Sequence, residues 1–254
     1  MTKTRISVAT WNIGGGILGE SHQENGASDL EYHSALLKEH SPDIVCLQEA
    51  HDFGDDNNQT QSIAARAGYP YYASFPISAS HMNKRASLSL GLASRFPIED
   101  CQYEQFPNPN LSATGPNGAK WILFDKGFAT CTVRVSGSLL GILNAHCFPL
   151  HYFGANPTEA RFAKMWEQLK SALLAKKAVM PTVAAIDLNF EPIDLLLGND
   201  FMNHEYLNAF ANTPTVPKGV QQDYLVYSTS LKLITTAVKP TRSDHSYCQV
   251  DIEL

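Results

Sequence analysis

Residues 42–49 read Pro42-Asp43-Ile44-Val45-Cys46-Leu47-Gln48-Glu49. A proline and an aspartate open the stretch, four apolar residues follow without a break, and two long polar side chains close it. Such a short, bounded apolar run reads as a buried strand. The same design recurs along the chain. Ile6–Trp11 runs into Asn12, Leu139–Leu143 into Asn144-Ala145-His146, and Thr182–Ile186 into Asp187-Leu188-Asn189. Gln222-Asp223 opens the run Tyr224–Tyr227, and Ser243-Asp244-His245 comes after Leu231–Val238. In a sandwich, strand ends gather along one rim, where rigid strands can hold converging polar side chains.

Between these stretches the pattern alternates strand and helix signals. Ser28 or Asp29 caps a helix running to about Lys38, and Gln59–Ala67 is helical with Gly68 as its stop. Tyr71–Phe75 and Leu88–Ser94 read as strands, and Phe128–Val135 and Leu139–Leu143 form a hairpin about Ser136-Gly137-Ser138. The best helix opens at Asn156-Pro157 and presents Phe162, Met165, Trp166, Leu169 and Leu173 on one face. The C-terminus alternates, with Cys248, Val250, Ile252 and Leu254 on one side. Many strands with few helices, in mixed order, predict an α+β fold: a mostly antiparallel β-sandwich covered by helices, one domain over residues 1–254.

With 44% hydrophobic residues and 17% charged ones, the 254-residue chain is not disordered. Lysine plus arginine is 19 against 25 aspartates and glutamates, a formal net charge of -6. That balance argues against tight non-specific binding of nucleic acid, which rests on basic side chains neutralising phosphates. Five scattered cysteines include no CxxC pair, which speaks against a zinc site, and a disulfide framework is not expected in a chain this long. No apolar leader or membrane-length run stands out, so a reduced, cytoplasmic protein with no transmembrane segment is the expectation.

Taken singly, each polar cluster has an ordinary explanation. Asn12 suits a turn, Glu49 a solvated strand end, Asp187-Leu188-Asn189 an Asx turn, and Asp244-His245 a surface ion pair. Their order along the chain is more telling. Together with Thr10-Trp11-Asn12-Ile13-Gly14 and Gly91-Leu92-Ala93-Ser94-Arg95-Phe96-Pro97-Ile98, it resembles the endonuclease/exonuclease/phosphatase superfamily, from residue 6 to about 250. That group includes deoxyribonucleases, abasic-site endonucleases, neutral sphingomyelinases, inositol-polyphosphate phosphatases and deadenylases. The resemblance implies a four-layer α/β/β/α sandwich.

It also implies a metal-dependent phosphoric-ester hydrolase. Oxygen donors without thiols suit a hard cation, Mg²⁺ or Mn²⁺. Glu49 is the candidate for direct coordination, with Asn12 and Asp244 holding the metal or its waters. By resemblance, Asp187 orients or activates the attacking water, Asn189 binds a phosphate oxygen, His245 meets the phosphate or acts as base, and Asp223 fixes its tautomer. His146 matches a second histidine that protonates the leaving oxygen or binds phosphate. Two departures stand out. Ile186 replaces the glycine usual before the D-x-N motif, and residues 71–98 contain no acid to orient His146.

Substrate choice falls to the loops, 14–26, 51–59, 107–121 and 148–157. Lys84, Arg85, Asn144, His151 and Arg242 are candidate substrate contacts. The leading substrate is nucleic acid or a nucleotide diester. A phospholipid or sphingomyelin-type diester and a small phosphomonoester are the alternatives, and a non-catalytic binding module is a fourth possibility.

Overall fold

The computed structural model describes residues 4–19, 27–54 and 57–254. Part of the glycine-rich loop, 20–26, and residues 55–56 of the next loop lie outside them. The elements are β1 (Arg5–Asn12), α1 (Leu30–His40), β2 (Ile44–Asp52), α2 (Gln59–Ala67), β3 (Tyr71–Ala79), β4 (Ser87–Ser94), β5 (Ile98–Gln105), β6 (Ser112–Thr114), β7 (Lys120–Ile122), β8 (Gly127–Val135), β9 (Ser138–His146), α3 (Ala163–Lys177), β10 (Thr182–Asp187), α4 (Asp194–Leu197), α5 (Asn199–His204), β11 (Tyr206–Asn208), β12 (Asp223–Ser228), β13 (Lys232–Lys239) and β14 (Tyr247–Glu253).

Two six-stranded sheets form, in the orders β13-β14-β1-β2-β4-β3 and β11-β12-β10-β9-β8-β5, and β6-β7 make a separate hairpin. The alternation in each strand explains the layering. Ile6 and Val8 of β1 enter the apolar layer between the sheets, together with Cys46, Leu92, Val133, Ile142, Val183, Leu225, Val250 and Ile252. The intervening Ala9 and Trp11 face outward and join Leu37 of α1 and Ile63 of α2. On the far side, Met165, Trp166, Leu169 and Leu173 of α3 cover Leu143, Ala184 and Ile186. The molecule is thus the expected four-layer sandwich. No helix among the described residues is long and apolar enough to cross a membrane.

Two pairings are parallel, β1 with β2 and β9 with β10, and they occupy the middle of their sheets. Parallel neighbours end at the same edge. Asn12 therefore pairs with Gln48, and His146 with Asp187, which also pairs with Asp223 across β12. The two sheets are fastened just behind that edge. The Gln48 side-chain amide donates to Asn144 Oδ1 at 2.8 Å, and Asn144 Nδ2 donates to the carbonyls of Leu47 at 3.1 Å and Gly91 at 2.9 Å. Asn144 was expected to touch substrate; its amide is instead committed to the opposite sheet.

Local signals mostly hold. The Asp29 side chain caps α1 by accepting from Tyr32 N at 2.9 Å. Ser136 and Gly137 both have positive φ, 48° and 93°, as a two-residue hairpin turn between twisted strands requires. Three differences are physical. Asn156 opens a turn, its Oδ1 accepting from Thr158 N at 3.0 Å, and α3 begins only at Ala163. Strand β5 was not foreseen, because its polar residues hide an edge strand. Cys101 of β5 and Cys131 of β8 form a disulfide, against expectation.

Asn144→Ala removes two buried amide donors' worth of inter-sheet bonding. It should lower unfolding free energy by about 2–4 kcal/mol, read as a lower urea midpoint with an unchanged slope. A loss below about 0.5 kcal/mol would show that the clamp contributes little.

Candidate active site

Each polar side chain at the rim is delivered by a strand end. In β2 the register slips between Leu47 and Ala50, and Glu49 sits in the bulge with φ 56°. That left-handed conformation is uncommon for a non-glycine residue and re-aims its side chain. The glycine run after β1 does similar work, since Gly14, Gly15 and Gly16 have φ of 50°, 66° and 74°. A side chain on Gly15 would collide with the His51 ring, 2.4 Å from its Cβ position.

At the centre lies Asp187, fully buried at the end of β10. Its Oδ2 accepts from Asn12 Nδ2 at 2.8 Å and its Oδ1 from the backbone N–H of Asn189 at 3.1 Å. Asn12 Oδ1 accepts from Gly14 N at 3.0 Å. Asn189, with φ 54°, directs Nδ2 to the Cys147 carbonyl at 3.1 Å. His245 Nδ1 lies 2.9 and 3.1 Å from the two oxygens of buried Asp223, which takes its backbone N–H to Thr215 Oγ1. His146 Nε2 is 3.4 Å from Asp187 Oδ2 and 3.6 Å from Glu49 Oε1.

Burial and neighbouring charge separate these groups. Burial raises the Asp187 pKa to about 7, with His245 pulling it down and Asp223 pushing it up. Burial alone would lower His245, but the Asp223 and Asp187 carboxylates, the hydrogen bond to Asp223 and the Asp244 charge outweigh it and raise His245 well above its ordinary value. His146 moves the other way, lowered well below its ordinary value by burial and by the Lys126 ammonium. The rim therefore holds a carboxyl poised near neutrality, one imidazole that keeps its proton and one that is neutral.

Of the expected residues, Asn12, Glu49, His146, Asp187, Asn189, Asp223 and His245 come together here. Asp244 is half-buried and acts electrostatically on His245. His151 is exposed and hydrogen-bonded to the Asn189 backbone, with partial desolvation and Lys218 lowering its pKa. Lys84 and Arg85 are exposed on the turn between β3 and β4. Arg242 turns aside: its guanidinium lies 5.3 Å from the Tyr32 ring centroid, and it borders a cavity of about 460 Å³ with Gly19 and Pro217.

Sequence reading missed Lys126. It is 5% exposed, and its Nζ lies 3.0 and 3.1 Å from the His146 ring nitrogens and 3.4 Å from Glu49 Oε1. Also unforeseen is a rim of rings. The His151 ring lies 4.1 Å from that of Tyr152, tilted by 42°, and Tyr152 meets Trp121 edge-on at 6.1 Å and carries Lys218 Nζ at 5.5 Å.

Among the described residues, Asp187, Asp223 and His245 present ligand atoms within 4.8 Å of one another, a place for a cation. Glu49 and Asn12 stand on the neighbouring strands β2 and β1, and Asp244 precedes His245 in the chain.

Strand ends of a double-sheet sandwich thus bring paired carboxylates and imidazoles together at one rim. Comparison with known proteins gives the family. The family model described as Endonuclease/Exonuclease/phosphatase family matches residues 9–245. An endonuclease/exonuclease/phosphatase from Beutenbergia cavernae superposes with a TM-score of 0.73, at 21% identity over 98% of this chain and 72% of that one. The human Nocturnin catalytic domain with bound sulfate anion gives 0.66, at 19% identity over 98% and 97%. Sphingomyelin phosphodiesterase 5 of Danio rerio is 35% identical over 86 residues, which span 32% of this chain and 16% of that relative. The chain belongs to the endonuclease/exonuclease/phosphatase family.

The Asp187 shift has a stability consequence. The folded carboxyl binds its proton up to about pH 7, the unfolded one only to about 4. Between those values the folded state holds more protons, so metal-free protein loses stability as pH rises through that window. Asp187→Asn should flatten the fall between pH 5 and 8 by about 1–3 kcal/mol, measured by urea unfolding in EDTA. An equal or steeper fall in the variant contradicts the assignment.

Proposed function

We propose that the protein is a divalent-metal-dependent phosphodiesterase in which Asp187 activates the attacking water. The observation that carries this reading is the Asp187 environment: a buried carboxylate, aligned by Asn12 and the Asn189 N–H, with a pKa near working pH. His245, protonated and fixed by Asp223, donates to the phosphoryl group. His146 lies beside them, its Nε2 3.4 Å from Asp187 Oδ2.

The Glu49 and Asn12 oxygens, with Asp244, fit a hard cation better than the Asp187–Asp223–His245 cluster, whose imidazole nitrogen is engaged by Asp223. Mg²⁺ or Mn²⁺ bound there would polarise a phosphoryl oxygen and offset charge developing in the transition state.

The rim favours a lipid-type headgroup diester. Trp121, Ile122 and Tyr152 are 38%, 52% and 50% exposed beside His151, and an aliphatic side chain in that set suits acyl or interfacial contact. The partial likeness to a sphingomyelin phosphodiesterase supports the same reading. A nucleotide or nucleic-acid diester is the second reading, supported by exposed Lys84 and Arg85 on the turn that carries His81, whose charge reaches His146. The Cys101–Cys131 disulfide supports an oxidising compartment over the reduced cytoplasm first expected.

A panel in Mg²⁺ decides: sphingomyelin and phosphatidylcholine vesicles, plasmid, single-stranded DNA, RNA, a dinucleotide and a phosphomonoester. Wild type should cleave a diester, most rapidly in the vesicles. Asp187→Ala, His245→Ala and EDTA should each reduce turnover by about 10³-fold or more. Equal inertness of wild type and both variants on every substrate refutes the hydrolytic reading, and faster cleavage of the nucleic acids reverses the substrate order.

A further inference from the structure

We propose that Lys126 binds a non-bridging oxygen of the scissile phosphate and is a catalytic residue of this site, an inference that rests on the phosphoesterase reading. Its position is set by backbone packing. Lys126 immediately precedes Gly127, which pairs with His146 across β8 and β9, and its carbonyl accepts from Phe106 N at 2.9 Å. A side chain on Gly127 would put Cβ 2.3 Å from the Glu104 carbonyl oxygen. The tight approach of β5 to β8 therefore requires glycine there and fixes the lysine at the rim.

An ammonium has three N–H donors and accepts nothing. At 5% exposure the residue meets little bulk water. The groups around Nζ are Glu49 Oε1 at 3.4 Å, a long contact, and the His146 ring at 3.0 and 3.1 Å. A neutral imidazole offers a single acceptor nitrogen. At least one donor is left over, and a buried cation short of acceptors is a feature that proteins keep for a ligand. A phosphoryl oxygen entering between His146, Glu49 and Asp187 is the acceptor that completes the set. The same lysine bears on the missing acid in residues 71–98: where a carboxylate would orient the His146 ring, the ring here rests against the Lys126 side chain.

The competing explanation makes Lys126 a mere counter-ion for Glu49. Calorimetric titration with inorganic phosphate in Mg²⁺ separates the two. Lys126→Met should weaken phosphate binding tenfold or more. In turnover it should lower kcat/KM by at least 100-fold, with Lys126→Arg recovering part of both. Unchanged phosphate affinity in Lys126→Met, with Mg²⁺ bound more tightly, overturns the proposal. Lys126→Gln is the second neutral variant; if neither folds, the lysine is structural and the proposal falls. A wild type that cleaves nothing in the panel yet binds phosphate through Lys126 refutes the functional reading alone. A wild type that cleaves a diester equally well without the lysine refutes this inference alone.

Discussion

The Asn144 amide, reaching from β9 to the Leu47 and Gly91 carbonyls and taking a hydrogen bond from Gln48, is the constraint on which the site depends. It lies two residues from His146 on one sheet and meets the residue before Glu49 on the other. Apolar layers hold two sheets face to face but resist sliding only weakly, because burial is non-directional. A directional, buried contact at the edge sets how far the two strand ends stand apart. The amide oxygen and both amide N–H groups have partners, which is the condition under which a buried amide favours a single arrangement.

With the sheets so fixed, the site's chemistry follows from unequal environments for similar groups. Asp187 and Asp223 are both fully buried aspartates. Asp223 shares an imidazole proton at 2.9 Å; Asp187 faces an amide, a backbone N–H and a second carboxylate's field, and its proton is held to about pH 7. Burial pushes both histidines down; at His245 the surrounding carboxylates outweigh it, whereas at His146 Lys126 adds to it. Separation of this kind lets one rim hold a base and a proton donor together.

Strand ends were legible because an apolar run that stops at Asn, Glu, His or Asp carries both its own boundary and its function. Roles were less legible. Asn144 and Asn189 have the same side chain and the same kind of position, yet one fastens sheets and the other lies beside Asp187. Only the opposing sheet distinguishes them. Lys126 follows Asp125 at the start of a strand, where a charged pair reads as surface; its burial comes from β5 closing over Gly127, and β5 was itself concealed by its polar, edge-strand composition. The exposed hairpin of β6 and β7 had no apolar periodicity to announce it, being three residues on each side.

The net charge of -6 acquires a different meaning once the carboxylates are located. Glu49, Asp187 and Asp223 are buried at the rim, so much of the acidity is confined to one cleft, where a bound cation inverts the local field. On the proposed reading, attraction for a phosphate would be local, from Lys126, His245 and a bound metal, and would extend over one phosphate group. A polymer with a charge at every repeat gains little from so small a cationic zone. A substrate with a single charged ester and a large apolar remainder gains from both the cleft and the ring-bearing rim around Tyr152 and Trp121.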